Sequence, residues 1–140
     1  DKSCGCVQKG GTAPIMDVIG YGDPVVTKGL NMLYGPGNDL VSATAMTAAG
    51  AHLILFSTGR GTPFSAPAPT LKISTNTPLA EKKGGWIDFN TGVIADGEKT
   101  IDEAARDLLD LVIRVAGGEQ TKAEKHGFRE ISIFKDGVVL

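Results

Sequence analysis

The chain has little of what many well-known sites depend on. Its 140 residues include two cysteines and two histidines, and its net charge is only −2. Both histidines lie outside the polar loops described below, which argues against a histidine-based mechanism. The near-neutral charge gives no basic surface for nucleic acid, and no apolar run approaches the length of a membrane span. These absences favour a single globular domain that binds neither nucleic acid nor membrane.

The two cysteines argue against a disulfide-stabilised secreted protein. Cys4 and Cys6 are two residues apart, and a disulfide across so short a loop would be strained. No secretion leader is evident, so we expect a cytoplasmic location. Two thiolates are too few for a closed zinc site, which leaves Cys4 and Cys6 as weak metal candidates. The glycine-rich start and the initial Asp1 are typical of a piece of a longer chain.

The order of elements predicts an α/β domain. Residues 1–29 read as an irregular lead-in continuing from a missing upstream domain, in which PIMDVI is typical of a helical turn or a short strand. Residues 30–140 form the predicted carboxyl-terminal α/β domain. Its predicted strands are residues 30–34, 52–57 and 70–75. NTPLAEKKGG is typical of a short helical turn or a loop, and WIDFN of a short strand or a turn. Helices are predicted from Asn38 or Asp39 to Gly50, and from a Thr100–Glu103 capping box to Gly117.

Strand, helix and strand in residues 30–57 predict a right-handed parallel crossover. The fold class is therefore a layered, Rossmann-like α/β domain with a mostly parallel sheet and flanking helices. The tail FREISIFKDGVVL alternates apolar and polar residues, which is typical of a strand or a docking arm. Lys72, within the third strand, is expected to face solvent from an edge of the sheet.

Three polar loops follow the predicted strands. STGRGTPF places Arg60 between two glycines, GPGND leads into a helix at Asp39, and ISTNTP carries Asn76. Ligands of open parallel sheets gather beyond the carboxyl ends of the strands, so we expect the loops to form one rim for a small hydroxylated anion. The plainer alternatives are a solvated arginine in a surface turn, a helix cap at Asp39 and a surface lysine at Lys9.

Several strings together resemble one known family. KSCGCVQKGGTAPIMDVIGYGD, GPGNDLVSATAMTAAGAHLILFSTGRGTPF, PTLKISTNTPLAEKKGGWIDFNTG and FREISIFKDGVVL resemble the carboxyl-terminal part of the altronate and galactarate dehydratases. The resemblance implies a hydro-lyase that removes water from a sugar acid to give a 2-keto-3-deoxy acid. It also implies a divalent ion, Fe²⁺ first and Mg²⁺ or Mn²⁺ as alternatives. Its partners would be the sugar acid, the rest of its own polypeptide and a second subunit in a homodimer.

Site roles follow from loop position within that resemblance. Arg60 and the N–H groups of Gly59 and Gly61 are expected to bind the substrate carboxylate. Thr58, Thr62 and Asn76 are expected to bind the sugar hydroxyls. Asp39 is expected to be a metal ligand or a base, and Lys9 a base or a charge partner. Two alternatives stay open: a non-catalytic carboxylate-binding or assembly domain, and a lyase for a sulfonated hydroxy acid. An isolated domain is expected to be inactive if other domains share the site.

Overall fold

A computed structural model of the chain describes residues 8–134. The strands within this range are β1 (Ile15–Ile19), β2 (Leu30–Leu33), β3 (Ile54–Thr58), β4 (Thr70–Ser74) and β5 (Phe89–Asn90). The helices are α1 (Asp39–Ala48), α2 (Thr77–Lys82), α3 (Gly92–Ala95), α4 (Ile101–Ala116) and α5 (Lys122–Lys125). Within residues 8–134, no helix has the length and apolar character needed to cross a membrane.

The strands form two small parallel sheets, and the α/β class with flanking helices is confirmed. One sheet pairs β1 with β2, and the other has the order β3-β4-β5, with every pairing parallel. The predicted crossover from residues 30–34 to 52–57 within one sheet is wrong, because β2 pairs with β1 whereas β3 pairs with β4. PIMDVI is a strand, irregular between Ile15 and Asp17. The boundary proposed at residue 30 stays a prediction.

The three-stranded sheet is covered on both faces. On one face Ile54 packs with Ala43 of α1 and with Phe64, which belongs to the segment between β3 and β4. On the other face Leu71 packs with Leu111 and Val115 of α4. Alanines in α1 allow the helix to lie close to the sheet, and the apolar positions of α4 recur on one helical face. β4 is the central strand, and all five of its residues are buried.

Most predicted helix ends are observed. Asn38, rather than Asp39, caps α1, and its side chain accepts hydrogen bonds from the N–H groups of Leu40 and Val41. The Thr100–Glu103 capping box is present at the start of α4. Two short helices, α3 and α5, were not predicted; each has only four residues, too few for a helical period to show in the sequence.

The tail is a docked segment rather than a strand, as far as it is described. The N–H of Glu130 donates to the carbonyl of Ser65 at 2.7 Å, and Ser65 N–H donates back to Glu130 Oε2 at 2.8 Å. The N–H of Ser132 donates to Thr44 Oγ1 on α1 at 3.0 Å. The arm interpretation is therefore confirmed for residues 128–134, and residues 135–140 lie outside the described part.

Candidate functional site

The loop after β3, residues 58–62, is called the Arg60 loop here. Thr58 ends the strand, and its Oγ1 accepts hydrogen bonds from the N–H groups of Gly61 at 3.0 Å and Arg60 at 3.4 Å. Gly61 has φ +81°, a conformation that side chains rarely adopt. A Cβ at Gly59 would lie 3.3 Å from Thr75 Oγ1. The two glycines are therefore explained by a left-handed residue and by a close approach to the loop after β4.

Two further side chains hold the same loop, one from β4 and one from the loop that follows β4. Asn76 Nδ2 donates to the carbonyl of Gly59 at 3.2 Å, and Lys72 Nζ donates to the carbonyl of Thr62 at 2.7 Å. Together with Thr58, three side chains hold one five-residue loop. Such anchoring reduces the entropy that the loop would lose on binding a ligand, which is the benefit of preorganisation. The predicted meeting of the loops after β3 and β4 is confirmed.

Lys72 is the residue that sequence reasoning placed wrongly. It lies on the central strand β4, not at an edge, and is 1% exposed. Its Nζ is 5.0 Å from the centre of the Phe64 ring. Burial lowers the pKa of Lys72 below its usual 10.5, and the carboxylates of Asp88 and Glu130 oppose this shift in part. TLKIST predicts a strand, but the string fits a central strand and an edge strand equally well.

The two nearby carboxylates form no ion pair with Lys72. Asp88 Oδ2 accepts from the backbone N–H of Lys72 at 2.8 Å, and its Oδ1 accepts from the N–H of Lys122 at 2.8 Å. Glu130 is held by Ser65. Within residues 8–134, the only hydrogen bond of the Lys72 side chain is therefore the one to the carbonyl of Thr62 in the Arg60 loop. The main structural role of the Lys72 side chain is therefore to hold the Arg60 loop in place.

The Arg60 guanidinium itself is exposed. In the described range it forms no ion pair and its side chain makes no hydrogen bond. A rigid backbone beneath an unengaged guanidinium suits bidentate binding of a carboxylate or another anion. The loop geometry therefore favours the anion-site interpretation over a flexible surface turn.

A second polar group lies at the ends of β4 and β5. Asn90 Nδ2 donates to Thr77 Oγ1 at 3.1 Å, and Thr91 Oγ1 donates to the carbonyl of Ser74 at 2.7 Å. Asn76 Oδ1 accepts from the N–H of Leu79 and so caps α2. These bonds join the loop after β5 to the loop that supports Arg60. The polar side chains of Asn76, Asn90 and Thr91 are thus hydrogen-bonded within the protein, and together with Thr77 we call them the platform.

Gly92 allows this platform to close, and sequence reasoning missed it. It is buried, and a Cβ added there would lie 2.2 Å from the backbone N of Thr77 and 2.5 Å from the carbonyl carbon of Asn76. No side chain fits so close to backbone. The glycine of FNTG gave no local signal, because its constraint comes from a segment fifteen residues earlier.

The remaining predicted residues are not brought to this loop by direct contacts. Asp39 and Lys9 are exposed, and within residues 8–134 no hydrogen bond or ion pair joins either to the Arg60 loop. The GPGND loop follows β2, a strand of the other sheet, so shared sheet topology no longer supports its convergence with Arg60. Cys4 and Cys6 lie outside the described residues.

The described side chains do not form a complete metal centre. Among residues 8–134 there is no group of three His, Cys, Asp or Glu side chains that could hold a metal ion. Asp39 can supply one carboxylate at most. The donor set therefore does not fit a resident ion without ligands from elsewhere.

Comparison with known proteins decides the family. A family model described as D-galactarate/altronate dehydratase, C-terminal, matches residues 1–139. The chain belongs to this family. It is 48% identical over 140 residues to the altronate dehydratase of Bacillus subtilis (strain 168), and equally to that of Escherichia coli (strain K12), covering 100% of the chain in both cases. It is 33% identical over 142 residues to the galactarate dehydratase (L-threo-forming) of Escherichia coli (strain K12), with 99% of the chain covered.

The chain spans 28% of the length of each altronate dehydratase and 27% of the galactarate dehydratase. It corresponds to the carboxyl-terminal domain of the family. The family resemblance given by TGRGTPF and KISTNTPLA is thereby confirmed. In this domain the same two strings carry Arg60, Lys72 and Asn76, the residues that form and anchor the loop.

Proposed function

We propose that this domain binds the carboxylate of a sugar acid in a hydro-lyase that converts altronate or galactarate into a 2-keto-3-deoxy acid. The observation that carries the proposal is the Arg60 loop, which three side chains anchor while its guanidinium stays unengaged. The names of the relatives, altronate and galactarate dehydratase, support the substrate class. Altronate is the first choice, because those relatives are more similar.

The chemistry gives the arginine a defined task. A base removes the proton on the carbon next to the carboxylate, and the electron pair of that C–H bond moves toward the carboxylate. The neighbouring C–O bond breaks, the hydroxyl leaves as water after receiving a proton, and the resulting enol becomes the keto acid. Negative charge on the carboxylate grows during proton removal. A guanidinium held in place stabilises that charge without reorganising.

The other roles are refined by the contacts in the structure. Gly61 N–H and the Asn76 amide are already engaged within the protein, so we assign both to holding the loop rather than the substrate. Gly59 N–H and the hydroxyls of Thr58 and Thr62 remain proposed substrate contacts.

Asp39 and Lys9 remain proposed proton-transfer groups, Asp39 also as a metal ligand. Their participation requires that substrate or other parts of the polypeptide bridge them to Arg60.

The proposal also covers the metal ion, the location and subunit number of the whole enzyme, and the activity of the isolated domain. A divalent ion, Fe²⁺ or alternatively Mg²⁺ or Mn²⁺, would take ligands from parts of the polypeptide outside residues 8–134. The enzyme would act in the cytoplasm as a homodimer. Catalytic groups shared with the rest of the polypeptide would leave this domain inactive when isolated.

The test is Arg60→Ala in the full-length enzyme, with altronate and galactarate as substrates. Loss of a bidentate carboxylate contact, which costs roughly 2 kcal/mol or more, should lower kcat/KM at least about thirtyfold. Arg60→Lys should recover only part, because an ammonium lacks the planar fork. Arg106→Ala, an exposed arginine on α4, is the matched control. Near-normal kcat/KM for Arg60→Ala would refute the assignment and leave a binding or assembly role.

A further inference from the structure

The helix α4 carries apolar side chains on more of its surface than the sheet covers. Leu111 and Val115 pack on Leu71 of β4 and are buried. A second set of apolar residues on α4 is spaced by four positions and is exposed to solvent. We call this set the outer stripe; its members are Ile101 (69% exposed), Ala105, Leu109 (57%) and Ile113 (60%). Because residues four apart are neighbours on a helix surface, the outer stripe is one continuous apolar strip.

A row of charges of alternating sign runs beside the outer stripe. We call it the charge row; its members, again exposed and four positions apart, are Asp102, Arg106, Asp110 and Arg114. Within residues 8–134, the first three members form no ion pair. Arg114 pairs with Glu119 at the surface, and exposed pairs of this kind add little to stability. The charge row is therefore open to a partner with a matching pattern of charges.

The order of signs in the charge row matches a reversed copy of itself. Read from the opposite end, minus-plus-minus-plus becomes plus-minus-plus-minus. An antiparallel copy of α4, with the two-fold axis at Leu108, therefore sets Arg106 opposite Asp110 of the second copy. The same register sets Asp102 opposite Arg114 of the second copy. A parallel copy in register would set each charge opposite a like charge, which is unfavourable. The pattern thus favours an antiparallel two-fold pairing.

We propose that α4 is a dimer interface, in which the outer stripe packs against the outer stripe of a second copy of this chain. This rests on the proposed function, in which the enzyme is a homodimer, and it adds the surface through which the two subunits meet. A contiguous exposed apolar patch marks an interaction site. The charge row supplies the polar rim, and the two-fold symmetry forms each of its pairs twice. The occupant is a second copy because the charges match their own reversed order.

The test uses Arg106→Asp and Asp110→Arg in the full-length enzyme, each made separately. Each reversal sets two like-charged pairs across the dimer, so the dissociation constant measured by sedimentation should rise at least about tenfold. Reversal is used because removal of one exposed charge, as in Arg106→Ala, changes association little. An equimolar mixture of the two variants should regain the original dissociation constant, because the new carboxylate then faces the new guanidinium. Lys125→Asp, an exposed reversal on α5, is the control.

Contacts within one polypeptide gain nothing from mixing, so a rise without recovery, or no rise, would overturn the proposal. Leu109→Cys keeps the test decisive if a reversal variant fails to fold. Leu109 of the two copies would lie about 3 Å apart along the helix axes. A short bis-maleimide should therefore link them, as mass spectrometry of the linked peptides shows, whereas Val26→Cys, at a position 80% exposed, should stay unlinked. Equal linking would contradict the interface. Neither readout uses catalysis, so failure here leaves the Arg60 proposal standing.

Discussion

Gly92→Ala gives the most direct test of how the platform supports the Arg60 loop. The added methyl would lie 2.2 Å from Thr77 N, 2.5 Å from Asn76 C and 2.7 Å from Asn76 Cα, whereas ordinary contact begins at 3.4 Å. All three are backbone atoms, so no side-chain rotation relieves the overlap. The segment must move by about 1 Å, and overpacking of this kind costs about 1–3 kcal/mol. The better helix propensity of alanine offsets less than about 1 kcal/mol.

The expected result is a lower melting temperature, followed by circular dichroism. A loss of about 2 kcal/mol in a domain of this size corresponds to roughly 4–10 °C. Activity of the full-length enzyme should fall as well, because Asn76 both caps α2 and bonds Gly59 of the loop.

Gly84→Ala is the matched control for this prediction. Its Cβ would meet Ala80 O at 3.5 Å, an ordinary contact. Equal melting temperatures for Gly92→Ala and Gly84→Ala would show that the close approach is not a constraint.

Three further predictions concern buried or capping groups. The free energy of unfolding should rise with pH between the lowered pKa of Lys72 and 10.5, because in that range the unfolded chain binds a proton that the folded chain has released. Lys72→Met should lose this pH-dependent rise when the free energy of unfolding is measured by chemical denaturation. Identical pH dependences of the variant and the unsubstituted protein would contradict the prediction. Thr100→Ala should cost about 1 kcal/mol through loss of the α4 cap, and Thr100→Ser should restore most of it. Glu130→Ala leaves the buried Ser65 N–H without its side-chain acceptor and should cost about 1–3 kcal/mol. Glu119→Ala is the control, because Glu119 forms an exposed ion pair with Arg114; it should lower the free energy of unfolding by less than about 1 kcal/mol. Equal losses for Glu130→Ala and Glu119→Ala would contradict a stabilising role of the docked arm.

Local signals predicted the elements well. The apolar runs located β2, β3 and β4, and Thr100 with Glu103 located the start of α4, because periodicity and capping depend on neighbours in the chain. Pairing between strands depends on distant segments, which explains the wrong crossover between β2 and β3. For the same reason Lys72 looked like an edge residue, since nothing near it in sequence reveals that β4 is flanked on both sides.

The candidate site was predicted in outline. Arg60, Thr58 and Asn76 are joined through one loop, as expected from polar segments after parallel strands. Asp39 was expected at the same rim on the assumption that β2 and β3 share a sheet, and that assumption failed. Gly92 could not be found from sequence, because its constraint is the backbone of Asn76 and Thr77 approaching from another element.

The docked arm also affects the order in which the chain acquires its structure. Glu130 reaches back 65 positions to Ser65, and Ser132 reaches back 88 positions to Thr44. During synthesis α1 and the segment between β3 and β4 emerge long before their final partners exist, and contacts of such long range are slow to form. Nascent chains that stop before residue 130 would therefore present Ser65 and Thr44 unprotected, and such truncated products should be prone to proteolysis and self-association.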